Sequence, residues 1–319
     1  MRWVEAVLVS GLLAGQALGQ TDYPSRPVRI VVPSPPGGGT DIVARVLAQH
    51  FSRAFGQPFF VENKAGAGTM IGIESVARAA PDGYTLLMVP STLALNSVLY
   101  KKPSYDPVRD FAPITLAASA PNILVVNPAL PARSLAEFIA LAKDKPGQLT
   151  YGTPGIGTSP HMSMELLKSM AGIDLQHVPY RGTAAAMTEV ISGQIKAMFA
   201  NALTARPQID AGRVRALAVS GPKRLEALPD VPAVAEAGVP KYEAMQWYGL
   251  VAPAGTPQPI IARLHGEATK ALHTSEMKER LAIDGAAPVG STPSEFAALI
   301  RYELEKWAGV ARTAHIEPE

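Results

Sequence analysis

The chain has 319 residues, of which 47% are hydrophobic and 18% are charged, a composition typical of globular proteins and far from the disordered range. Its 29 Lys and Arg residues against 27 Asp and Glu residues give a formal net charge of +2, and no basic run indicates nucleic-acid binding. Cysteine is absent from the sequence, which excludes disulfides, thiolate metal sites and a cysteine nucleophile.

The first nineteen residues predict a secretory signal peptide. Arg2 precedes the apolar run "AVLVSGLLAG", and small residues before Gln20 fit a cleavage site at that position. The run is shorter than the roughly 20 apolar residues that a membrane-spanning helix needs. A buried N-terminal helix is the alternative, because Glu5 weakens the positive start of a signal peptide. We adopt export, with residues 1–19 removed.

Strand-like and helical runs alternate in the next part of the chain. "VRIVVP" at 28–33 predicts a strand, and the stretch after it carries Val43, Leu47 and Phe51 at helical spacing. Strand, helix and strand then recur through "FFVEN", "GTMIGIESVARAA" and "YTLLMVP". Such a βαβαβ series predicts a parallel sheet covered by helices, so an α/β domain opens the chain.

A second series of the same kind begins with the strand "NILVVNP" at 122–128. Ser134 is the predicted N-cap of the helix after it, with Glu137 three residues on. The alternation continues to the strand at 213–221 and ends in the proline-rich "LEALPDVPAVAEAGVP", the predicted linker. The tail is mostly helical, with Ser294 as a predicted cap, and we place it on the first domain. This arrangement predicts two α/β lobes joined by two crossings.

Three consecutive glycines, Gly37, Gly38 and Gly39, stand where the first predicted strand ends and a helix begins. A helix start leaves N–H groups without helical acceptors and about half a positive charge, so it can bind an anion. Glycines let an anion reach those groups without meeting a Cβ, and a tight turn with positive φ is the alternative explanation. Thr40 or Asp41 could cap the helix. Neither a Walker loop nor a G-x-G-x-x-G motif is present here.

The stretch "TYGTPGIGTSPHMSMELL" repeats this arrangement in the second series, with Gly155 and Gly157 between a strand and a helix. Ser159 and Pro160 are its predicted N-cap and first helical residue, and the Ser159 hydroxyl can donate to a carboxylate. If the lobes close on each other, both loops point into one cleft. We then expect Gly157→Val to abolish binding and leave the fold intact, because a side chain would occupy the anion's place.

Patterns for catalysis and metal binding are weak. Ser159 and His161 are two residues apart and point to different faces of a helix, and no G-x-S-x-G motif occurs. The six histidines show no metal-ligand spacing. His161 is a candidate ligand neighbour or capping residue, and Arg181 a candidate ligand contact or a solvated loop arginine. Trp247 belongs to an aromatic pair that is either core or cleft wall. We predict no catalytic residue, no metal and no cofactor.

Seven motifs, in order, resemble the Bug family, the extracytoplasmic solute-binding proteins of tripartite tricarboxylate transporters. They cover essentially the whole chain from about Tyr23 and read "VPSPPGGGTDIVAR", "VENKAGAGTMIG", "PDGYTLL", "YGTPGIGTSPHMSMELL", "HVPYRGTAAAMTEVISGQI", "AGRVRALAVSG" and "WYGLVAPAGTPQPII". The resemblance implies a type II periplasmic-binding-protein fold: two α/β lobes, a hinge of two crossings and a ligand cleft between them. The predicted lobes are 20–122 plus 228–319 and 123–227.

The resemblance further implies that the two glycine-rich loops hold a carboxylate through backbone N–H groups, hydroxyls and ordered waters. With Trp247 added from the aromatic pair, the candidate ligand-binding residues are Ser34, Pro36, Gly37, Gly38, Gly39, Thr40, Asp41, Pro90, Ser91, Thr92, Gly155, Ile156, Gly157, Thr158, Ser159, His161, Tyr180, Arg181, Gly182, Asn201 and Trp247. Ser34, Leu93 and Ala200 depart from the Phe, His and Asp that the family often has, and all three are expected near the cleft.

The implied function is capture of a small carboxylate: a di- or tricarboxylate, an acidic amino acid or an aromatic acid. The ligand would pass to a membrane transporter with one large and one small integral subunit. We expect a periplasmic monomer that is not an enzyme and binds no nucleic acid. Two alternatives stay open. One is an orphan receptor that presents its ligand to a sensor protein, and the other is an enzyme using the glycine-rich loops as phosphate sites.

Overall fold

The computed structural model describes residues 23–283, 285–314 and 316, so the predicted signal peptide and its cleavage site lie outside the described residues. The strands are β1 Val28–Val32, β2 Phe59–Asn63, β3 Thr85–Pro90, β4 Phe111–Val126, β5 Thr150–Thr153, β6 Gln176–Pro179, β7 Ala197–Asn201, β8 Arg215–Val219, β9 Met245–Pro253 and β10 Ala287–Pro288. The helices are α1 Gly39–Phe55, α2 Met70–Ala77, α3 Thr92–Leu99, α4 Leu135–Asp144, α5 Ser159–Ala171, α6 Thr183–Ser192, α7 Ala202–Asp210, α8 Gln258–Leu272, α9 Ser275–Ile283 and α10 Pro293–Thr313. None of the helices in this part of the chain combines the length and apolarity needed to cross a membrane.

The strands form one mixed sheet with a parallel set at each end. β1 pairs in parallel with β2 and β3, and β5 pairs in parallel with β6 and β7. Between these sets β9 and β4 run antiparallel to each other, and β4 also pairs with β8 and β10. Helices cover both sets, which confirms the predicted α/β class with two parallel series.

β4 is 16 residues long and belongs to both ends of the sheet. Its residues 111–121 pair with β9, and its residues 122–126 pair with β7. The sequence predicts a strand only from residue 122, because Pro113 and Pro121 interrupt the stretch before it and proline usually argues against a central strand. The part of β4 that carries the chain from one lobe to the other is therefore the part that the sequence pattern missed.

The register of β4 places the carboxyl ends of the two parallel sets opposite each other. β3 ends at Pro90, which pairs with Tyr248 of β9, and Tyr248 pairs with Ala118 of β4. β7 ends at Asn201, which pairs with Asn122 of β4. Because β3 runs along β4 and β7 runs against it, the two ends approach each other and are offset by about 13 Å along β4, at roughly 3.3 Å per residue. Helices α1, α3, α5, α6 and α7 all start at these facing edges.

The linker and two helices of the first lobe pack against the second. The buried apolar cluster that contains Phe138 of α4 also contains Val234, which lies in the predicted linker, and Tyr242, which follows the linker. Leu99 of α3 and Trp307 of α10 also join this cluster. Side chains on both sides of the predicted lobe boundary thus share one core, and the exact boundary stays a prediction.

Two predicted helix caps can be compared with the structure. Ser134 caps α4 as predicted, since its hydroxyl accepts from Glu137 N at 3.2 Å. The cap predicted for α10 is wrong, because Ser294 lies inside the helix and Thr292 is the N-cap. Thr292 accepts from Glu295 N at 3.3 Å and donates its own N–H to the Glu295 carboxylate at 2.8 Å. This reciprocal pair satisfies two N–H groups at once, which a cap at Ser294 could not do.

Candidate ligand-binding site

The first glycine-rich loop, residues 33–38, joins β1 to α1 and exposes its backbone together with Pro36. Gly37 has a φ of +90°, which disfavours any residue with a Cβ. Gly38 has a φ of −84°, which any residue can adopt. A Cβ on either would meet no atom within 4 Å. Turn geometry therefore accounts for Gly37, whereas Gly38 leaves open space that the chain does not itself use.

Helix α1 begins two residues earlier than a cap at Thr40 would place it, and three earlier than a cap at Asp41. Gly39 is its first residue, and Gly38 is its N-cap without any side-chain hydrogen bond. The predicted capping role of Thr40 or Asp41 is therefore wrong. Both side chains are buried in the first turn of α1. Since the N-cap Gly38 has no side chain, no side-chain cap covers the N–H groups at the start of the helix.

The Asp41 carboxylate fastens the first loop from inside. It is 3% exposed, and its Oδ2 accepts from Gly37 N at 3.0 Å. Arg45 Nε donates to the same oxygen at 2.8 Å, and Asn63 Nδ2 donates to Oδ1 at 2.9 Å. Burial by itself raises the pKa of Asp41, but these three hydrogen bonds outweigh burial and bring the pKa below its usual value. Asp41 is thus a charged support of the loop.

The second glycine-rich loop, residues 154–158, joins β5 to α5 and is more enclosed than the first. Gly157 is buried with a φ of +74°, and a Cβ there would lie 2.9 Å from Leu99 Cδ1. The basis of the expected Gly157→Val result is therefore wrong, because the side chain would meet α3 and not an anion. Gly155 also has a positive φ, of +142°. Ile156 between them is 48% exposed and is the apolar side chain that this loop offers.

Helix α5 begins at Ser159 with Thr158 as its N-cap, one residue before the predicted cap. Thr158 donates its hydroxyl to Gly155 O at 2.8 Å and so closes the loop on itself. Ser159 Oγ accepts from Asn122 Nδ2 at 2.8 Å. Because that oxygen is an acceptor in this bond, its own proton remains able to donate to another group.

His161 plays in the second loop the part that Asp41 plays in the first. Its Nδ1 accepts from Gly157 N at 3.2 Å, and the ring is 3% exposed. It stacks on the His177 ring with 4.3 Å between centroids. Burial, and then the nearby His177 and Lys168, lower the pKa of His161 to about 3. The ring is neutral at neutral pH and keeps the lone pair that Gly157 N–H needs.

Tyr180, Arg181 and Gly182 join β6 to α6 beside the second loop. Tyr180 N donates to Thr153 O at 2.9 Å, and Gly182 N donates to Pro154 O at 3.2 Å. Gly182 is the N-cap of α6, with a φ of +105°, and a Cβ there would meet no atom within 4 Å. Arg181 is exposed. The structure therefore brings the three residues to the second loop, where Gly182 leaves its backbone uncovered and the Arg181 side chain is exposed.

Pro90, Ser91 and Thr92 lie on the opposite edge, where β3 ends and α3 begins. Thr92 Oγ1 is 2.7 Å from Thr69 Oγ1, which also accepts from Asn96 Nδ2 at 3.2 Å. Thr69 has a φ of +82°, an uncommon conformation for a β-branched residue. The sequence missed Thr69 as a neighbour of this edge, although the glycines of "AGAGT" were a visible sign of an unusual turn.

Two buried polar atoms near these edges have no hydrogen-bond partner in the described part of the chain: Ser34 Oγ and Asn122 Oδ1. By contrast, Asn201, opposite Asn122, caps α7, since its Oδ1 accepts from Thr204 N at 3.1 Å. Buried polar atoms usually have a partner, often an ordered water. Asn122 was missed from the sequence because an Asn inside a strand carries no signal of its own.

One candidate ligand-binding residue, Trp247, is placed wrongly by the sequence analysis. Trp247 is 2% exposed, packs edge-on against Phe296 and donates its Nε1–H to Glu303 at 3.1 Å, so it is core and not a cleft wall. Leu93 and Ala200 are fully buried in apolar clusters, and their place near the cleft stays a prediction. An alternating strand sends every second side chain inward, and a sequence of mostly apolar residues does not tell which.

A cavity of about 220 Å³ lies beside the second loop and is lined by Leu99, Ile156, His161, Glu165, Lys168, His177, Ala314 and Ile316. The second loop contributes Ile156 to this lining, and the first loop contributes no residue. Across the described residues, no three His, Cys, Asp or Glu side chains are grouped so as to hold a metal ion.

Comparison with known proteins gives one consistent result. The family model described as tripartite tricarboxylate transporter family receptor matches residues 43–315. The chain is 37% identical over 292 residues to the protein BugT of Bordetella pertussis, covering 91% of this chain and 90% of BugT. It is similar in structure to R. palustris Rpa4515 with adipate, at 36% identity and a TM-score of 0.83, covering 93% of this chain and 100% of that one. MatC from Rhodopseudomonas palustris with bound malate gives 34% identity and a TM-score of 0.78 over 90% and 99% of the two chains. These likenesses confirm the two-lobe fold.

Proposed function

The chain belongs to the tripartite tricarboxylate transporter receptor family, which includes the Bug proteins, and we propose that it captures a small carboxylate between its lobes for a membrane transporter. The family is one of extracytoplasmic solute-binding receptors. The finer parts of the proposal are an export signal cleaved before Gln20, a monomer without enzymatic activity, and a transporter of one large and one small membrane subunit. Ligand binding would shift the population toward a closed form that the transporter recognises.

The observation that carries the proposal is the register of β4, which sets the two parallel sets with their carboxyl ends facing each other. Five helix starts lie along these facing edges, and each directs N–H groups and partial positive charge outward. Each start attracts a carboxylate by about 0.3–1 kcal/mol at an exposed site, and more once water is excluded. A ligand with a negative group that reaches both edges would therefore hold the lobes together.

The side chains at these edges favour an acid that has no ammonium group. Asp41 is the single acidic residue among the candidate ligand-binding residues, and Gly37, Arg45 and Asn63 already occupy its oxygens. A ligand ammonium would find no free carboxylate there, whereas a second ligand carboxylate could meet the exposed Arg181. We therefore place di- and tricarboxylates and aromatic acids ahead of acidic amino acids. The bound adipate and malate of the two structural neighbours support the same order.

The test is a thermal-shift titration of the purified mature protein with adipate, malate, citrate, benzoate, glutamate and aspartate. A ligand at a hundred times its dissociation constant stabilises the folded state by about 2.7 kcal/mol, which gives a clear rise in melting temperature. We expect such a rise with at least one acid lacking an ammonium group. No response to any carboxylate would overturn the proposed function, and a response to glutamate or aspartate alone would overturn the order of ligands.

Gly38→Thr locates the site within the same experiment. Its φ of −84° accepts threonine, its Cβ would meet open space, and Thr is about as good an N-cap as Gly. We expect the unliganded melting temperature to stay unchanged and carboxylate affinity to fall at least tenfold. Gly266→Thr is the matched control, because Gly266 lies on α8 and its Cβ would also meet no atom within 4 Å. Equal affinity in all three proteins would place the ligand away from the first loop.

A further inference from the structure

We propose that His161 is a positioning residue of the ligand site, which sets the second glycine-rich loop by accepting the Gly157 N–H. The inference rests on the proposed function, since it concerns the same loop. Gly157 needs such an acceptor because its N–H belongs to a buried residue, and a buried donor without a partner is costly. No other hydrogen bond of Gly157 N–H is found among the described residues.

The ring of His161 is itself fixed by a stack of three rings. His161 stacks on His177 with 4.3 Å between centroids, and His177 stacks on Tyr151 with 4.9 Å between centroids. The rings are tilted by 21° and 16° in the two pairs, so they are nearly parallel. His161 therefore has little freedom to turn its Nδ1 away from Gly157.

The same stack reaches the other glycine of the loop. His177 Nε2 lies 2.6 Å from Thr153 Oγ1, and Thr153 Oγ1 accepts from Gly155 N at 3.3 Å. His161, at one end of the stack, thus accepts from Gly157 N, and His177, in the middle, is linked to Gly155 N through Thr153. Both positive-φ glycines of the loop are tied to one rigid group of side chains from α5, β5 and β6.

The bond also sets the direction of the free ring proton. Because Nδ1 accepts, a neutral His161 carries its proton on Nε2, and Nδ1 has no proton to donate to a ligand. His161 also lines the cavity beside the loop, together with Glu165, Lys168 and His177. The buried ring and its bond to Gly157 N favour an action of His161 on the ligand through Gly157 over the direct contact predicted from the sequence.

Three variants test whether His161 acts as a hydrogen-bond acceptor or only fills space. His161→Asn keeps an oxygen near the position of Nδ1 but removes most of the ring, whereas His161→Leu keeps bulk and removes the acceptor. His273→Leu is the matched control, since His273 is exposed at the end of α8 and also bonds a backbone group four residues away, Thr269 O at 2.7 Å. His273 lies outside both glycine-rich loops.

The first measurement needs no ligand. Amide hydrogen exchange at Gly157, followed by NMR in glycine-labelled protein, should be about tenfold faster in His161→Leu and close to the original rate in His161→Asn and His273→Leu. Unchanged protection of Gly157 in His161→Leu would overturn the proposal. Because this arm is independent of binding, it decides the positioning role even if no carboxylate binds and the proposed function fails.

The second measurement is the affinity for adipate and malate in the same proteins. We expect the affinity to follow the acceptor: about tenfold weaker in His161→Leu, and within about threefold of the original in His161→Asn. Affinity that follows side-chain volume instead, with His161→Leu binding normally and His161→Asn weakly, would show that His161 only fills space. That result would also overturn the proposal.

Discussion

The two glycine-rich loops start a helix in the same way but differ in what supports them. In each, a glycine donates its N–H to the side chain four residues on: Gly37 to Asp41, and Gly157 to His161. Asp41 is an ionised carboxylate neutralised by the half-exposed Arg45, whereas His161 is a neutral ring inside a stack of rings. The same backbone geometry is therefore supported by charge in one lobe and by packing in the other.

The two loops also differ in what surrounds their glycines. A Cβ on Gly38 would enter open space, whereas a Cβ on Gly157 would approach Leu99 of the opposite lobe to 2.9 Å. Open space thus lies beside Gly38 in the first loop, whereas the positive φ of Gly157 and its close neighbour both disfavour a side chain in the second. Glycines that look equivalent in the sequence have different physical reasons.

The largest expected effect comes from adding a side chain to a glycine of each loop, which tests this difference directly. Gly157→Val puts a β-branched residue at a φ of +74° and against Leu99, so we expect a loss of about 2–5 kcal/mol in the free energy of unfolding. Gly38→Thr should change it by less than about 0.5 kcal/mol. Urea unfolding followed by circular dichroism measures both. Equal losses in the two variants would show that the loops are equally packed.

The next effect removes the charged support of the first loop. Asp41→Ala leaves Gly37 N–H, Arg45 and Asn63 without their shared acceptor, and we expect a loss of about 2–3 kcal/mol in the free energy of unfolding. Arg45→Gln is the control, with an expected loss of at most about 1 kcal/mol because the Arg45 side chain is 53% exposed. A larger loss from Arg45→Gln than from Asp41→Ala would mean that the ion pair, and not the carboxylate's support of the loop, is what matters.

The smallest expected effect is a loss of folding stability at acidic pH, caused by the buried, neutral His161 of the second loop. In the unfolded chain His161 binds a proton near its ordinary pKa of about 6.5, whereas the folded ring has a pKa of about 3. Between these values the unfolded state binds more protons, so stability is lost as pH falls, by at most about 1.4 kcal/mol per pH unit. Burial also lowers the pKa of His177, which adds to the slope.

Urea unfolding at pH 7, 6 and 5 measures this dependence, and His161→Leu provides the comparison. The variant should show a shallower loss of stability across this range, because the contribution of His161 is absent and that of His177 remains. Asp41 does not enter this window, since its pKa is lowered and its stabilising contribution is lost only at more acidic pH. Parallel pH profiles for the two proteins would contradict a buried neutral His161.

Local patterns were sufficient for much of the fold and for the position of both loops. The alternation of strands and helices follows from apolar spacing, and the loops from glycines at strand ends, so both could be predicted from a few neighbouring residues. The first half of β4 could not, because its two prolines argue against a strand that only pairing with β9 stabilises. Thr69 and Asn122 were missed for a related reason, since each matters through partners far away in the chain.

By itself the sequence determined the α/β class, the two parallel series and the bare helix starts, because each depends on residues within a few positions of one another. Only the tertiary structure decided that Asp41 and His161 support the loops, that Trp247 is core, and that Asn122 reaches Ser159. The Asp41 and His161 bonds each span four residues but need the turn that the folded loop adopts, whereas the positions of Trp247 and Asn122 depend on strand register and on which face of each strand is covered. Register brings together residues that are distant in the chain, and no local pattern of side chains specifies it.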